Sequence, residues 1–311
     1  MCNARCAPLF TSNASTPGSQ MTILSSISAA KARGASFIFI SALLFSVNIL
    51  IVKMLTASTR IPVVEITFAR FISGLIVISA YILWSGVPFR PVNKKILFLR
   101  GFLNALAVLI LFYSVEYTSI TNANVLNMTY PIFVALLSHA LIGERFHRSA
   151  FIPLFLTAAG VYMVIQPDLG AIRPGDAIGL VSGLVAALAI IYLRVLRKTD
   201  ETVVILFYLF AVGSLFLLVP LIPLFVMPDP SAAFLLLLCS ASGVAAQYFL
   251  TEGYRFISAV GGSIVSASRV YIASFFGVIF FNDPVNLMLF AGTLFIVGSN
   301  VLTAKIESTN T

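Results

Sequence analysis

Residues 125–148, VLNMTYPIFVALLSHALIGERFHR, decide how the rest of the chain is interpreted. The stretch predicts an apolar helix with a proline in its middle and a charged Gly-Glu-Arg turn at its end. A proline ends most helices in water, but a membrane helix tolerates it because neighbouring helices satisfy the freed carbonyl. The stretch therefore predicts a kinked membrane helix that either packs against other helices or lines a cavity. One face carries its polar and helix-breaking residues, which are Asn124, Asn127, Pro131 and Ser138.

The composition also indicates a membrane protein. Of the 311 residues, 59 % are hydrophobic and 10 % are charged, and the mean hydropathy is +1.04. Soluble domains are about 25 % charged. Many apolar stretches of about 20 residues can span a hydrocarbon core of about 30 Å as helices. We therefore predict an all-α, multi-pass membrane protein without a separate soluble domain.

Hydropathy predicts ten transmembrane helices, and the distribution of Lys and Arg predicts their orientation. With the amino terminus in the cytoplasm, fourteen of the nineteen basic residues fall inside and three outside, so both termini are expected in the cytoplasm. Residues 1–33, rich in Ser, Thr, Asn and Ala, predict a disordered cytoplasmic tail. The predicted spans are residues 35–55, 63–84, 96–115, 121–142, 149–166, 177–196, 202–226, 231–251, 258–280 and 285–304.

Several functions are disfavoured by what the sequence lacks. The net charge of +8 comes from basic residues that stand singly or in short groups between apolar spans, so no nucleic-acid partner is expected. The three cysteines have no metal-ligand spacing, and we expect neither a metal nor another cofactor. The chain has no ATP-binding glycine-rich loop, no HExxH motif and no nucleophile elbow. A primary pump and an integral membrane enzyme are therefore the weaker hypotheses.

The two halves of the chain share a pattern of aromatic and small residues. Because each half would contain five helices, the second copy would enter the membrane from the opposite side and form an inverted repeat. The predicted units are residues 34–166 and 176–305. At an offset of 137 residues, the first set Phe112, Tyr117, Ile120 and Thr121 matches Phe249, Tyr254, Ile257 and Ser258. At nearby offsets the pairs are Phe71 with Phe210, Gly74 with Gly213, Glu144 with Asp283, and Gly160 with Gly298.

Four segments resemble the EamA type of the drug/metabolite transporter superfamily. They are PVVEITFARF in the second helix, LRG at the start of the third, FYSVEYTSITNANVLNMTYPIF, and LIGERF at the end of the fourth. The resemblance covers about residues 35–305 and is stronger in the first half. It implies two five-helix repeats around a central cavity formed mainly by helices one, three, four, six, eight and nine. One departure is that Ser268 and Arg269 stand where the second half would repeat a proline of helix nine.

Arg269 is the leading candidate for substrate binding. It is predicted to lie halfway along the ninth span, where an arginine costs about 2.5 to 3.5 kcal/mol on insertion scales and needs a partner or a wet cavity. A guanidinium holds a carboxylate or phosphate by two hydrogen bonds, which favours an anionic or zwitterionic substrate. The alternative is a structural pair with helix carbonyls or with Glu65.

Other polar residues within or beside the spans complete the predicted site. Arg70 is predicted either to contact substrate or to brace Glu65. Glu65 and Lys53 are expected at an outer gate, and Glu144 at an inner helix end as a brace or gate. No Asp or Glu lies in the middle of a span, so exchange or facilitated uptake is expected rather than strong proton coupling. The remaining candidates for lining the cavity are Asn124, Asn127, Pro131, Asn48, Asn104, Gln247 and Ser266.

The sequence thus predicts a secondary transporter of small polar metabolites that works by alternating access in a bacterial inner (plasma) membrane. FARF and LRG resemble the subgroup that includes S-adenosylmethionine uptake carriers, so such a substrate or an amino-acid-derived one is expected. Export of drugs or other metabolites is the alternative, and a membrane enzyme, channel or scaffold is the alternative of another class. The expected partners are a small-molecule substrate, the lipid bilayer and, as one option, a second copy of the chain in a homodimer.

Overall fold

The structure, a computed structural model, is helical throughout the ranges it describes, which are residues 17–117, 126–143, 148–165, 174–281 and 287–309. A short 3-10 turn at Arg148–Ala150 precedes the fifth helix. The helices are α1 (Pro17–Ser58), α2 (Val63–Ser85), α3 (Lys94–Tyr117), α4 (Tyr130–Ile142), α5 (Phe151–Ile165), α6 (Pro174–Leu196), α7 (Thr202–Leu221), α8 (Pro230–Gly253), α9 (Ala259–Ser266), α10 (Arg269–Phe281) and α11 (Leu287–Thr309).

The all-α membrane class predicted from composition is confirmed. Among the described residues, seven helical segments are long and apolar enough to cross a membrane. Two shorter apolar helices lie at Tyr130–Ile142 and Arg148–Val164. The chain is therefore an integral membrane protein.

The first helix is longer than its predicted span. α1 begins at Pro17, within the segment for which the sequence predicts a disordered tail. A proline is well tolerated at the first position of a helix because its missing N–H would have no intrahelical acceptor there. No further proline follows it before Ser58, so the backbone can continue as one helix. Residues 1–16 lie outside the described ranges.

Two glycines end helices in the left-handed conformation. Gly86 has φ 63°, and its amide donates to the carbonyl of Ile82 at 3.2 Å. Gly143 has φ 64°, and its amide donates to the carbonyl of His139 at 3.1 Å. Residues with a Cβ rarely adopt this conformation. The Gly-Glu-Arg turn predicted to close the fourth span therefore begins with a glycine that caps α4.

The span predicted at residues 121–142 is interrupted rather than kinked at its proline. Met128 and Thr129 form a turn, and Pro131 occupies the first turn of α4. The amide of Thr129 donates to the carbonyl of Leu126 at 3.3 Å. This corrects the prediction of a proline in the middle of a helix. Pro131 lies in the first turn of a new helix, where an N–H would have no intrahelical acceptor.

The span predicted at residues 258–280 is interrupted in a similar way. α9 ends at Ser266, Ala267 and Ser268 form a turn, and α10 begins with Arg269. The amide of Ser268 donates to the carbonyl of Val265 at 3.1 Å. A bent backbone is tolerated in a membrane where its amides keep acceptors. The two turns are 139 residues apart, which is also the separation of Phe71 from Phe210.

Helices of the first half (residues 17–165) pack mainly against helices of the second half (residues 174–309). The most extensive pairs are α1 with α8, α3 with α6, α5 with α11, and α2 with α7. A Cβ added to Gly160 on α5 would lie 2.8 Å from the carbonyl oxygen of Gly292, and one added to Gly292 would lie 2.7 Å from that of Gly160. Gly298, the predicted counterpart of Gly160, has no neighbour within 4 Å of its Cβ position. The close contact therefore forms at Gly292.

Large apolar side chains face outward over the described surface. Leu83 is 85 % exposed, Leu287 is 81 % exposed and Trp84 is 88 % exposed. Such an exterior suits lipid tails rather than water. Trp84 lies at the carboxyl end of α2, where aromatic side chains of membrane helices commonly sit at the level of the lipid headgroups.

Candidate functional site

The two helix interruptions meet at Arg269, the first residue of α10. Its Nε lies 3.1 Å from the sulfur of Met128, and its Nη2 donates to the side-chain oxygen of Asn127 at 3.4 Å. Its guanidinium carbon lies 5.5 Å from the centroid of the Tyr130 ring. These three neighbours are neutral. Among the described residues Arg269 therefore has no carboxylate counterion.

The contacts of Arg269 are weak for a guanidinium in the protein interior. A thioether is a poor acceptor, and 3.4 Å is longer than the usual N–H···O range of about 2.7 to 3.2 Å. The Tyr130 ring attracts the cation without accepting a conventional hydrogen bond. Arg269 also keeps some accessible surface. Its guanidinium can therefore bind a ligand that brings stronger acceptors.

Asn127 is oriented by a hydrogen-bonded chain from α6. Its amide nitrogen donates to the hydroxyl of Ser182 at 3.0 Å, and that hydroxyl donates to the carbonyl of Gly179 at 2.6 Å. The amide oxygen of Asn127 is thereby directed to Arg269. The predicted polar face thus contributes one residue to this centre, while Asn124 lies outside the described residues.

Pro131 lines a separate cavity of about 130 Å³ beside the first interruption. Met128 lines the same cavity and also contacts Arg269, so its side chain lies between the cavity and the guanidinium. The remaining lining is mostly apolar and comes from the turn before α4, from α4 and from α5: Thr129, Ile132, Leu154, Thr157, Ala158, Val161 and Tyr162.

Arg70 on α2 is the second arginine of the interior. Its guanidinium carbon lies 5.1 Å from the centroid of the Phe45 ring, and its side chain lies against Gly243 of α8. It is close enough to Arg269 for the two positive charges to repel each other. Its Nε is buried without an acceptor, and within the described ranges Arg70 has no ion pair.

Glu65 does not pair with either arginine in the part of the chain that the structure describes. It is 4 % exposed in the first turn of α2, and its Oε2 accepts the amide of Val226 at 2.9 Å. The backbone of Lys53 lies in α1, but its side chain is outside the description, and Glu144 lies wholly outside it. Of the residues predicted to form an outer gate, the structure thus describes only the contact of Glu65 on α2 with the segment after α7.

Asn48 connects two helices. Its amide nitrogen donates to the carbonyl of Cys239 at 2.6 Å and lies 3.2 Å from the hydroxyl of Ser242. Asn48 is 5 % exposed, and both partners belong to α8. This geometry is that of a side chain that joins α1 to α8.

The other residues predicted to line the cavity differ in burial and in whether their polar groups form hydrogen bonds. Gln247 on α8 is 1 % exposed, and its Nε2 has no acceptor within the described ranges. Ser266 is 5 % exposed at the end of α9. Asn104 on α3 is partly exposed, without a hydrogen bond to any described residue. Of these three, Gln247 is the one with a buried donor left unused.

A cluster around Glu252, which the sequence analysis missed, joins α6, α7 and α8 at one end of the helices. The carboxylate lies 3.5 Å from Nη2 of Arg197 and 3.6 Å from Nη1 of Arg255, and it accepts a short hydrogen bond from Thr202. Burial lowers the pKa of Arg197, and the charge of Glu252 opposes that shift. The spacing of Glu252 and Arg255 near the end of a span could have indicated this cluster. Arg255 was instead used only as an inside basic residue in predicting the orientation of the spans.

Arg100 was also missed. It lies on α3, is 1 % exposed, and none of its three side-chain nitrogens has an acceptor in the described part of the chain. In the sequence it stands out only as an inside basic residue and as the arginine of the LRG segment. Its position within the span predicted at residues 96–115 was the signal for a buried role.

The fold and the centre define a membrane transporter. Interrupted helices that meet at an unneutralised interior charge are the arrangement with which secondary transporters bind small solutes. The chain belongs to the EamA-like transporter family, whose profile matches residues 32–166 and 173–304. Within the described ranges no three His, Cys, Asp or Glu side chains come together as metal ligands do.

The chain is similar to proteins that are named as transporters, which agrees with the prediction of a transporter rather than an enzyme. The chain is 30 % identical to the pseudopaline exporter CntI of Pseudomonas aeruginosa UCBPP-PA14 over 81 % of this chain and 89 % of the exporter. It is 24 % identical to human solute carrier family 35 member G1 over 86 % of this chain and 78 % of the carrier. A solved crystal structure shares the fold, with a TM-score of 0.74 at 18 % identity over 88 % of this chain and 97 % of that one.

Proposed function

We propose that the protein is a secondary transporter for a small polar organic metabolite that carries an anionic or zwitterionic group. The proposal rests on the surroundings of Arg269. Its guanidinium stands at the meeting of two interrupted helices with only neutral partners, namely Asn127, Met128 and the ring of Tyr130. A carboxylate would replace a weak thioether contact with a charge-assisted hydrogen bond.

The proposed architecture is ten transmembrane helices in two inverted five-helix repeats, residues 34–166 and 176–305. α9 and α10 together would form one interrupted span. Three observations support it: the two turns at a separation of 139 residues, the two family matches, and the pairing of helices. The pairing is symmetric, because α1 with α8 and α3 with α6 exchange when the halves are exchanged. With this topology and the distribution of basic residues, the protein lies in a bacterial inner membrane with both termini in the cytoplasm.

Alternating access is the mechanism we propose for this architecture. Substrate would bind between the halves, since Asn127 comes from the first and Arg269 from the second. Rocking of the halves would open the centre to each side in turn. The Glu252 cluster, which ties α6, α7 and α8 at the end rich in basic residues, would separate when the inner side opens. Cysteines introduced at the two mouths should change accessibility in opposite directions when substrate binds.

The positive charge of the interior limits the range of possible substrates. Arg70 and Arg269 give the interior two positive charges that pair with no carboxylate among the described residues, which disfavours a substrate with a net positive charge such as S-adenosylmethionine. An amino-acid-derived metabolite with an exposed carboxylate fits better. Export is the second candidate direction, because a relative at 30 % identity is named as an exporter.

Uptake into proteoliposomes tests the proposal. Purified protein should show saturable uptake and counterflow of a labelled metabolite from an anionic panel, whereas a channel would show no counterflow. Arg269→Gln should abolish this uptake. Arg269→Lys should retain part of it, because the lysine ammonium keeps the positive charge but loses the two-pronged hydrogen bond of the guanidinium. Arg90→Gln, which removes an exposed basic side chain between α2 and α3, is the matched control. Wild-type uptake by a monodisperse Arg269→Gln variant would contradict the proposal.

A further inference from the structure

We infer that Arg70 and Gln247 form a second anion-binding subsite beside Arg269, and that the substrate is therefore an organic dianion of the dicarboxylate type. The inference rests on the proposed function, because it assigns a second contact to the same substrate. It specifies which group Arg70 recognises and how the substrate's charge is distributed.

Arg70 has the surroundings of a ligand-binding arginine. The Phe45 ring flanks its guanidinium at 5.1 Å, which positions the cation without neutralising it. Its Nε is buried without an acceptor in the described part of the chain. Glu65, the residue on the same helix that Arg70 was predicted to brace, instead accepts the amide of Val226. The charge of Arg70 is thus left for a group that the chain itself does not supply within the described ranges.

Gln247 adds a neutral donor to the same place. It lies four residues after Gly243 on α8, so both residues share one helix face. Gly243 is the residue against which Arg70 packs, since a Cβ there would lie 2.5 Å from the Nε of Arg70. The Nε2 of Gln247 is buried and has no acceptor among the described residues. The unused donors of Arg70 and Gln247 are therefore about one helical turn apart along the same face of α8, and a carboxylate has the oxygens to satisfy both.

The two arginines contact neighbouring residues of α1, Arg70 through its guanidinium and Arg269 through its backbone carbonyl. Phe45 contacts Arg70, and the hydroxyl of the next residue, Ser46, donates to the backbone carbonyl of Arg269 at 3.0 Å. The positive charges of Arg70 and Arg269 repel each other. A monoanion would neutralise one of them, whereas a dianion neutralises both. Since Arg70 belongs to the first half and Arg269 to the second, a dianion would also join the halves in the loaded state.

Succinate and succinamate are the probes that test the inference. They have the same length and differ in one negative charge, so their affinity ratio isolates the second subsite. We expect the purified full-length protein to bind succinate about tenfold more tightly than succinamate by isothermal titration calorimetry, because a charge-assisted hydrogen bond is roughly twice as strong as a neutral one. Arg70→Gln should reduce this ratio to near unity and leave succinamate binding in place.

Two further variants complete the test. Gly243→Ala should reduce the ratio as well, because the added methyl displaces the side chain of Arg70 without removing its charge. Arg90→Gln should leave the ratio unchanged. Equal binding of the two probes, no succinate binding, or a wild-type ratio in Arg70→Gln would overturn the inference. Each of these results would leave the proposed function standing as long as uptake is lost in Arg269→Gln.

Discussion

The rings of Phe71 and Phe210 meet edge to face, with centroids 5.9 Å apart and planes at 80°. Each ring also covers a glycine of the opposite helix. A Cβ on Gly74 would lie 2.6 Å from the ring of Phe210, and a Cβ on Gly213 would overlap the ring of Phe71. The contact between α2 and α7 is therefore reciprocal, and each phenylalanine and its nearby glycine have counterparts in the other half.

Gly213→Ala should destabilise the protein by about 1 to 3 kcal/mol, because the added methyl forces the buried Phe71 ring out of its position. Thermal unfolding in detergent, followed by static light scattering, would measure the loss. Gly298→Ala is the matched control, since nothing lies within 4 Å of its Cβ position. Equal melting temperatures for the two variants would contradict the reciprocal packing.

Glu252→Gln should cost more stability than Arg255→Gln, although the two residues lie near each other. The carboxylate accepts hydrogen bonds from Thr202 and from Arg197, whose side chain is 2 % exposed, so its loss should cost about 1.5 to 3 kcal/mol. The side chain of Arg255 is 52 % exposed, and its pair with Glu252 should contribute about 0 to 1 kcal/mol. Urea titration of both variants provides the comparison, and the reverse order would show that the cluster does not depend on Glu252.

Arg100→Met should raise the melting temperature. A buried guanidinium without acceptors carries a desolvation penalty, and a methionine of similar length removes the charge and keeps the packing. We expect a gain of about 1 to 4 kcal/mol, the range found when buried ion pairs are replaced by apolar residues. Arg100→Lys is the control that retains the charge. If the methionine variant unfolds at a lower temperature than the lysine variant, Arg100 has an acceptor in the native protein.

Asn48→Ala should lower stability without changing the affinity for substrate. Its amide nitrogen is engaged by the carbonyl of Cys239 and by Ser242, and interhelical hydrogen bonds of this kind contribute about 0.6 to 2 kcal/mol in membranes. Melting temperature and the KM for uptake separate the two effects. A raised KM at an unchanged melting temperature would instead make Asn48 a substrate contact, as the sequence analysis proposed.

Hydropathy located most helices of the described chain because long apolar runs are needed to cross a bilayer. It did not reveal the turns at Met128 and Ala267, whose own residues are not strong helix breakers. These turns depend on packing between segments far apart in the chain. Capping glycines such as Gly143 were visible locally, because a left-handed residue after an apolar helix favours glycine.

The candidate site was predictable one residue at a time. Arg269 and Asn127 were singled out because charge and amide groups are costly inside a membrane helix. Their contact joins residues 142 positions apart, and no local pattern encodes such a pair. The unused donor of Gln247 was equally invisible, because satisfaction of a buried group depends on what the other helices present to it.

Trp84 gives the protein a built-in optical reporter. It is the one tryptophan in the sequence, and its indole projects from the end of α2. Intrinsic emission will therefore describe the lipid around that helix end and carry no direct signal from the arginines in the interior. Replacing Trp84 by phenylalanine removes the tryptophan emission of the protein. A tryptophan introduced at Phe45 would then fluoresce beside Arg70 and report ligand binding by a shift in its emission wavelength.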